Sequence, residues 1–244
     1  MEDLDVLLRL VIAHLLADFV FQTDKINKGK QEGIRAGFFQ LHILIVGVTA
    51  YVLVGQWTQW LLPSLIMIVH GGIDWLKVTM SKRFSQLWLY LGDQLLHVLS
   101  LVALWYAFYL APLGGAEEYF SGVFSEPKVL IVVIAFLVVS WPSGYLIGFM
   151  TEGWKKKVDG SKKSLRKAGE TIGVIERVLI LVFILIDEWS AIGFLLAAKS
   201  VFRFGDLNTK KARRNTEYIL IGTILSFAFS VVLGLFTLFL IGMF

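Results

Sequence analysis

Three histidine–aspartate pairs, each with four-residue spacing, are the residues of this sequence best suited to do chemistry. They are His14 with Asp18, His70 with Asp74, and Asp93 with His97. A fourth histidine, His42, has no such partner, and all four histidines lie within the first 97 residues. Because four residues make about one helical turn, the two members of each pair are expected on one face of a helix.

These side chains stand in segments that are otherwise strongly apolar. An ionisable group inside a membrane helix is costly and is usually kept for function. Imidazole and carboxylate are natural ligands for zinc, iron or manganese. The pattern therefore predicts a divalent transition metal, with zinc as the expected ion and one or two ions per chain.

The ligand types suggest roles for the individual residues. The expected core ligands are His14, His70 and His97, and His42 is the candidate for a substitute or second-site ligand. The carboxylates expected to share the remaining ligand and catalytic-base roles are Asp18, Asp74 and Asp93. Polar neighbours expected to support the ligands or contact substrate are Gln22, Lys77 and Gln94.

Other interpretations of the cluster need no metal. A lone histidine such as His42 is often an interhelical hydrogen-bond partner. A single histidine–aspartate pair is compatible with a structural ion pair, and a proton relay uses the same residue types. The basic loops of the sequence predict a similar depth for the three pairs, in the inner half of the membrane, which favours a shared functional site over a purely structural one.

Composition places the chain in a membrane. Hydrophobic residues make up 57% and charged residues 17%, against the usual quarter or so of charged residues in soluble domains. There is no cysteine, which excludes disulfides and thiolate metal sites. The net charge of +4 is concentrated between apolar runs, as membrane topology requires, so no nucleic-acid partner is expected.

The apolar runs predict an all-α, polytopic membrane helical bundle. About 20 residues cross a bilayer as a helix. The runs are 4–22, 38–54, 61–80, 86–111, 128–150, 172–203 and 216–242. The run 172–203 is long and is interrupted by Asp187-Glu-Trp-Ser, so it is either one tilted span or a helical hairpin, giving seven to eight hydrophobic helices.

Basic residues favour the hairpin. Lysine and arginine are enriched in cytoplasmic loops, and here they cluster in 23–37, 82–83, 151–171 and 199–214. All four clusters reach one side only if 172–203 enters the membrane and returns. We expect a single integral membrane domain, 1–244, with a four-helix polar-site half at 1–111. Its second half, 128–244, carries basic cytoplasmic loops.

The second half has fewer candidates. Glu176 and Arg177 lie inside an apolar run, where a buried salt bridge between them or with Glu188 is the simplest expectation. Lys199 and Arg203 lie one turn apart and are candidates for binding anionic lipid headgroups. The ordinary interpretation of this pair is a topology signal.

The polar motifs resemble a known family. The run from His14 to Gln22, followed by Lys28, His42, His70-Gly-Gly-Ile-Asp74 and Asp93-Gln94-Leu-Leu-His97, is similar to bacterial membrane proteins catalogued as domain of unknown function 3307. Longer members also share segments around Glu176, Lys199 and Glu217. The resemblance implies a multi-pass protein of the bacterial inner (cytoplasmic) membrane and no settled reaction. A layout similar to intramembrane metal hydrolases such as alkaline ceramidases and adiponectin receptors is an analogy only.

Three functions fit these observations. The leading hypothesis is a metal-dependent intramembrane hydrolase that acts on a lipid or lipid-linked substrate at the cytoplasmic leaflet. A metal-ion or proton transporter or channel would use the same cluster but would need polar groups on a path to both sides. A membrane scaffold or sensor stabilised by metal is the third possibility. Membrane lipids are the expected partners.

Overall fold

Helices form every regular element of the residues described by the computed structural model, which are 2–30, 37–110, 126–155, 163–201 and 210–244. In chain order they are α1 (Glu2–Leu15), α2 (Asp24–Lys30), α3 (Gly37–Val54), α4 (Leu61–Met80), α5 (Gln86–Trp105), α6 (Pro127–Ser140), α7 (Pro142–Met150), α8 (Glu152–Lys155), α9 (Lys163–Leu185), α10 (Trp189–Val201) and α11 (Lys210–Ile241). Two of them, α1 and α5, continue directly into π-helical turns at Leu16–Val20 and Tyr106–Leu110. The all-α prediction is confirmed.

Within the described residues, five helical stretches are long and apolar enough to cross a membrane. They are Gly37–Val54, Leu61–Met80, Gln86–Leu110, Pro127–Met150 and Thr216–Ile241. These stretches indicate a membrane protein. The count of seven to eight spans and the orientation of the chain stay predictions.

The chain divides into two compact units, residues 1–137 with Phe244, and residues 138–243. In the first unit, α1 and α4 each pack against both α3 and α5, so these four helices close a small bundle. The core of the bundle is apolar and includes Val6, Leu10, Val46 and Ile66. Short helix α2 packs against α3 at one end.

Glycines let α3 and α4 approach closely beside the polar residues. A Cβ added at Gly47 of α3 would lie 2.3 Å from the Met67 sulfur, and one at Gly71 of α4 would lie 2.8 Å from Ile43 Cδ1. Small residues allow this kind of contact between membrane helices. Gly71 directly follows His70, so the close approach also brings that histidine toward α3.

A buried ion pair lies at the end of the bundle away from the polar residues and helps to join α1 to α3. Arg9 lies 3.1 Å from Asp5 one turn away and donates to the Val54 carbonyl at 3.3 Å. The last carbonyls of a helix have no partner within it. Arg9 therefore satisfies the end of α3 and joins α1 to it.

In the second unit, the apolar run 172–203 forms two helices rather than one. The chain turns between α9 and α10 at Asp187, which has a positive φ of 61°. Glu176 of α9 forms an ion pair with Lys199 of α10, which holds the two helices together. The sequence did not predict this partner, since it suggested a salt bridge of Glu176 and Arg177 with each other or with Glu188. The headgroup candidate Lys199 has this carboxylate as its partner, and Arg203 lies outside the described residues.

Arg177 instead stabilises the break between α6 and α7. Pro142 has no backbone N–H and ends the α6 hydrogen-bond ladder, so nearby carbonyls need other donors. Arg177 donates to the carbonyls of Val139 at 2.8 Å and Ser140 at 3.2 Å. A side chain that satisfies freed carbonyls is one way in which proline is tolerated in membrane helices.

Replacing Arg177 with methionine is expected to destabilise the protein. Methionine keeps the length of the side chain but removes the two hydrogen bonds that the guanidinium donates to Val139 and Ser140, and a hydrogen bond that involves a charged group contributes about 1.5–3 kcal/mol. The melting temperature of the purified protein, followed by tryptophan fluorescence, should fall by several degrees. Lys128→Met removes a charge from the exposed face of α6 and should leave the melting temperature unchanged. Equal melting of R177M and wild type would contradict this role.

Candidate metal centre

All seven predicted histidines and aspartates meet in one buried cluster inside the four-helix unit. The histidines are 0–4% exposed, and the side chains of the three aspartates are 1–7% exposed. Four different elements contribute to the cluster: α1 with its π-helical turn, α3, α4 and α5. The structure brings the seven residues together, and their role as a metal site stays a prediction.

Three atoms of the cluster form a compact triangle, called the ligand triangle here: Asp18 Oδ1, His42 Nε2 and His70 Nε2. The two imidazole nitrogens are 3.1 Å apart, and each lies 3.3 Å from Asp18 Oδ1. Zinc binds nitrogen and oxygen at about 2.0–2.1 Å, so adjacent ligands of a tetrahedral ion lie about 3.3–3.4 Å apart. The triangle has the size of one face of such a coordination sphere.

Hydrogen bonds among the three atoms of the ligand triangle do not satisfy all of them. At 3.1 Å, His42 and His70 can share one hydrogen bond, which does not involve the carboxylate. Asp18 Oδ1 is buried and makes no hydrogen bond of normal geometry with the described residues. An uncompensated buried charge costs several kcal/mol. A cation bound to all three atoms would remove that cost.

A fourth candidate ligand, Asp74, adjoins the triangle. Its Oδ2 lies 3.3 Å from His42 Nε2 and 3.6 Å from His70 Nε2. The same oxygen forms an ion pair with the ammonium of Lys30. Lys30 also donates to Gln22 Oε1 at 3.0 Å, so the predicted supporting residue Gln22 acts on Asp74 through this lysine.

Lys30 was not predicted as a site residue. In the sequence it is one of several cations between the first two apolar runs, and there it indicates topology. In the structure it ends α2 and is buried, because Gly29 allows α2 to rest on α3. A Cβ at Gly29 would lie 2.3 Å from the Phe38 ring. A single sequence does not reveal such a contact.

The third aspartate, Asp93, is held by Lys77 and Gln94. Its Oδ2 lies 2.6 Å from the Lys77 ammonium and accepts a hydrogen bond from Gln94 Nε2 at 3.0 Å. The amide oxygen of Gln94 lies 3.2 Å from His14 Nε2. Both predicted neighbours, Lys77 and Gln94, thus contact members of the cluster.

His97 has one nitrogen fixed and the other available. Its Nδ1 lies 2.8 Å from the backbone carbonyl of Asp93. A carbonyl only accepts, so Nδ1 carries the hydrogen and Nε2 carries the lone pair. This Nε2 is buried and has no hydrogen-bond partner among the described residues. The His97 ring packs edge-on against His70, with centroids 4.0 Å apart, and stacks on His14 at 4.9 Å.

The closest contacts run between helices rather than within the four-residue pairs. Side-chain separations within the pairs are 3.9 Å for His14–Asp18, 3.6 Å for His70–Asp74 and 3.8 Å for Asp93–His97. The contacts within the ligand triangle are shorter and join three helices. Asp18 lies on the π-helical turn that follows α1, and such turns are frequent at functional sites.

Charge distinguishes Asp18 from the other two aspartates. Asp74 has Lys30 as its cationic partner, and Asp93 has Lys77. The ion pairs that the described structure shows for Asp18 are all with histidines. With neutral imidazoles, the three carboxylates and two ammoniums leave one negative charge uncompensated, at the triangle.

Comparison with known proteins agrees with the sequence resemblance. Residues 6–120 match the model of the family described as "Protein of unknown function (DUF3307)", so this part of the chain is similar to that family. Every residue of the cluster lies within the matched segment, and the second-half segments noted in the sequence lie outside it. No curated protein and no solved structure matches the chain.

Proposed function

We propose that this protein is a metal-dependent hydrolase of the bacterial inner membrane, acting on a lipid or lipid-linked substrate from the cytoplasmic leaflet. The observation that carries the proposal is the ligand triangle. It combines two imidazole nitrogens and an uncompensated carboxylate at the spacing of zinc ligands. One divalent ion, zinc in the first place, fits it.

The proposed ligands are Asp18, His42 and His70, with Asp74 beside the open position. Three protein ligands and one open position are typical of catalytic rather than structural zinc. This assignment gives His42 a central role, where the sequence favoured His14 and His97. Those two histidines stack on each other beside the triangle and are assigned supporting roles.

The proposed chemistry is hydrolysis. A zinc ion at the triangle would acidify a bound water and polarise the substrate. His97 is the proposed proton acceptor, since its Nε2 carries a buried lone pair without a described partner. The water oxygen bonds to the acyl carbon or phosphorus, the bond to the leaving group breaks, and the leaving group takes the water proton. Asp74 is a weaker candidate for the base, because Lys30 stabilises its charged form.

The surroundings of the cluster favour a hydrolase over a transporter. A transporter needs polar groups along a path across the membrane. On the side away from Lys30, the cavity beside His14, His70 and His97 is lined mainly by apolar residues, namely Leu10, Ala13, Val46, Ala50, Ile66, Leu101 and Leu104. Ser100 also lines it, and its hydroxyl donates to the His97 carbonyl. Arg9 and Asp5, beyond this apolar layer, are bound to each other. The described polar groups therefore do not form a continuous line.

Hydrolysis by the purified protein should require metal. Protein stripped by a chelator, then dialysed with or without zinc, is assayed against a panel of lipid esters, amides and phosphoesters by mass spectrometry. We expect hydrolysis of at least one class by zinc-loaded protein and background rates for stripped protein. The proposal fails if protein with bound zinc hydrolyses none of the lipid classes in the panel, or if the stripped protein is equally active.

A further inference from the structure

We infer that the substrate of this centre carries an anionic phosphate group, which Lys77 binds beside Asp93. The inference rests on the proposed function and narrows it. The proposed function allows lipid esters, amides and phosphoesters as substrates. The inference restricts them to lipids with a phosphate group that is ionised at neutral pH.

The first argument is the charge of the loaded centre. Two of the three carboxylates are already neutralised by Lys30 and Lys77. A divalent ion at Asp18 would therefore leave the centre with one net positive charge. Electrostatic interactions are strong where water is excluded, so this centre favours an anionic ligand over a neutral ester or amide.

The second argument is the position of Lys77. Its side chain is 38% exposed, whereas that of its partner Asp93 is 1% exposed. Lys77 thus connects the buried cluster to the surroundings, and no cluster member described above is as accessible. An ammonium has three donors, and Asp93 is the acceptor that the described structure shows for it. The remaining donors suit phosphate oxygens, which lysine commonly binds as a point charge.

Lys30 is less suited to receive a ligand. Its side chain is 7% exposed and contacts both Asp74 and Gln22. Its position indicates that it holds Asp74 in place beside the ligand triangle. Lys77 is therefore the residue whose removal should affect phosphate binding without disturbing the proposed zinc ligands.

The reaction on such a lipid is balanced without a further reactant. The oxygen of water bonds to phosphorus, and the P–O bond to the lipid alcohol breaks. With a lipid phosphomonoester as substrate, the alcohol oxygen takes the proton that water loses, so the products are a lipid alcohol and free phosphate. The products are one lipid and one water-soluble anion, which separate at the membrane surface.

Lys77→Gln tests the inference in zinc-loaded protein. The affinity for inorganic phosphate, measured by isothermal titration calorimetry, should fall by about tenfold or more, the size of one charge-assisted hydrogen bond. Zinc per chain should be unchanged. Lys82→Gln, which removes an exposed lysine from the following turn, is the matched control and should bind phosphate as the wild type does.

A competition experiment distinguishes a site for free phosphate from a site for a lipid phosphate headgroup. Phosphatidic acid and diacylglycerol with the same acyl chains are added in mixed micelles as competitors. We expect phosphatidic acid to displace inorganic phosphate and diacylglycerol not to do so. Competition by neither lipid would overturn the lipid part of the inference. Wild-type affinity in K77Q, or no phosphate binding by zinc-loaded wild type, would overturn it entirely. Absence of zinc from wild type would instead contradict the proposed function, so the two failures are distinguishable.

Discussion

Replacing His42 with alanine is expected to weaken zinc binding by at least about 100-fold, because residues that only support metal ligands already contribute 10–100-fold. The Nε2 of His42 lies 3.1–3.3 Å from His70, Asp18 and Asp74, so its loss removes one corner of the ligand triangle. The affinity is measured by competition with a chromophoric zinc chelator in detergent. A fluorescence melting curve checks that the variant is folded.

His14→Ala is the matched control for this prediction. His14 is also a buried histidine of the cluster, 4% exposed. Its Nε2 lies 3.2 Å from Gln94 Oε1, and its Nδ1 lies 3.9 Å from Asp18 Oδ2, the carboxylate oxygen outside the triangle. Its removal should change zinc affinity by about tenfold, the lower end of the range for a supporting residue. The sequence alone ranks His14 above His42 as a ligand. Loss of zinc in H14A with retention in H42A would contradict the assignment drawn from the structure.

Replacing His97 with glutamine is expected to lower turnover by about 100-fold or more, the usual contribution of a general base. Glutamine is polar and of similar size but cannot accept the proton from water. The zinc content should stay within about twofold of the wild-type value, because His97 has a supporting role and is not one of the proposed zinc ligands. Initial rates on the most active lipid of the panel are measured together with zinc per chain.

The paired measurement separates three roles for His97. Lower turnover with retained zinc is the result expected for a proton acceptor. Parallel loss of both would make His97 a ligand, as the sequence suggested. If neither changes while the melting temperature falls, its lone pair has only a structural role and the proposed proton route is wrong.

Much of the cluster was predictable because helical periodicity is a local property. Four-residue spacing places His70 and Asp74 on one face of a helix, and the basic loops predicted a similar depth for the three pairs. The break of the run 172–203 was also predictable from the sequence, since Asp187 and Glu188 interrupt an apolar segment. In the structure, α9 and α10 are separated at this point.

The partners across helices were not predictable from spacing. His42 is an isolated histidine in sequence, yet the approach of α3 to α4 at Gly47 and Gly71 places it beside His70. Lys30 was indistinguishable from the other lysines of its loop until α2 was seen to pack on α3. Glu176 likewise has a neighbouring arginine in sequence, but its partner is Lys199 on the returning helix. These contacts depend on packing between segments far apart in the chain.

The most direct test of the central claim is the zinc content of wild type and Asp18→Asn. Both are purified without chelators and analysed by inductively coupled plasma mass spectrometry. Asparagine keeps the shape of Asp18 but removes the uncompensated charge. The account predicts about one zinc per wild-type chain, as for one tetrahedral site, and well under half of that in D18N. Wild-type protein with almost no bound transition metal, or D18N with as much zinc as wild type, would contradict it.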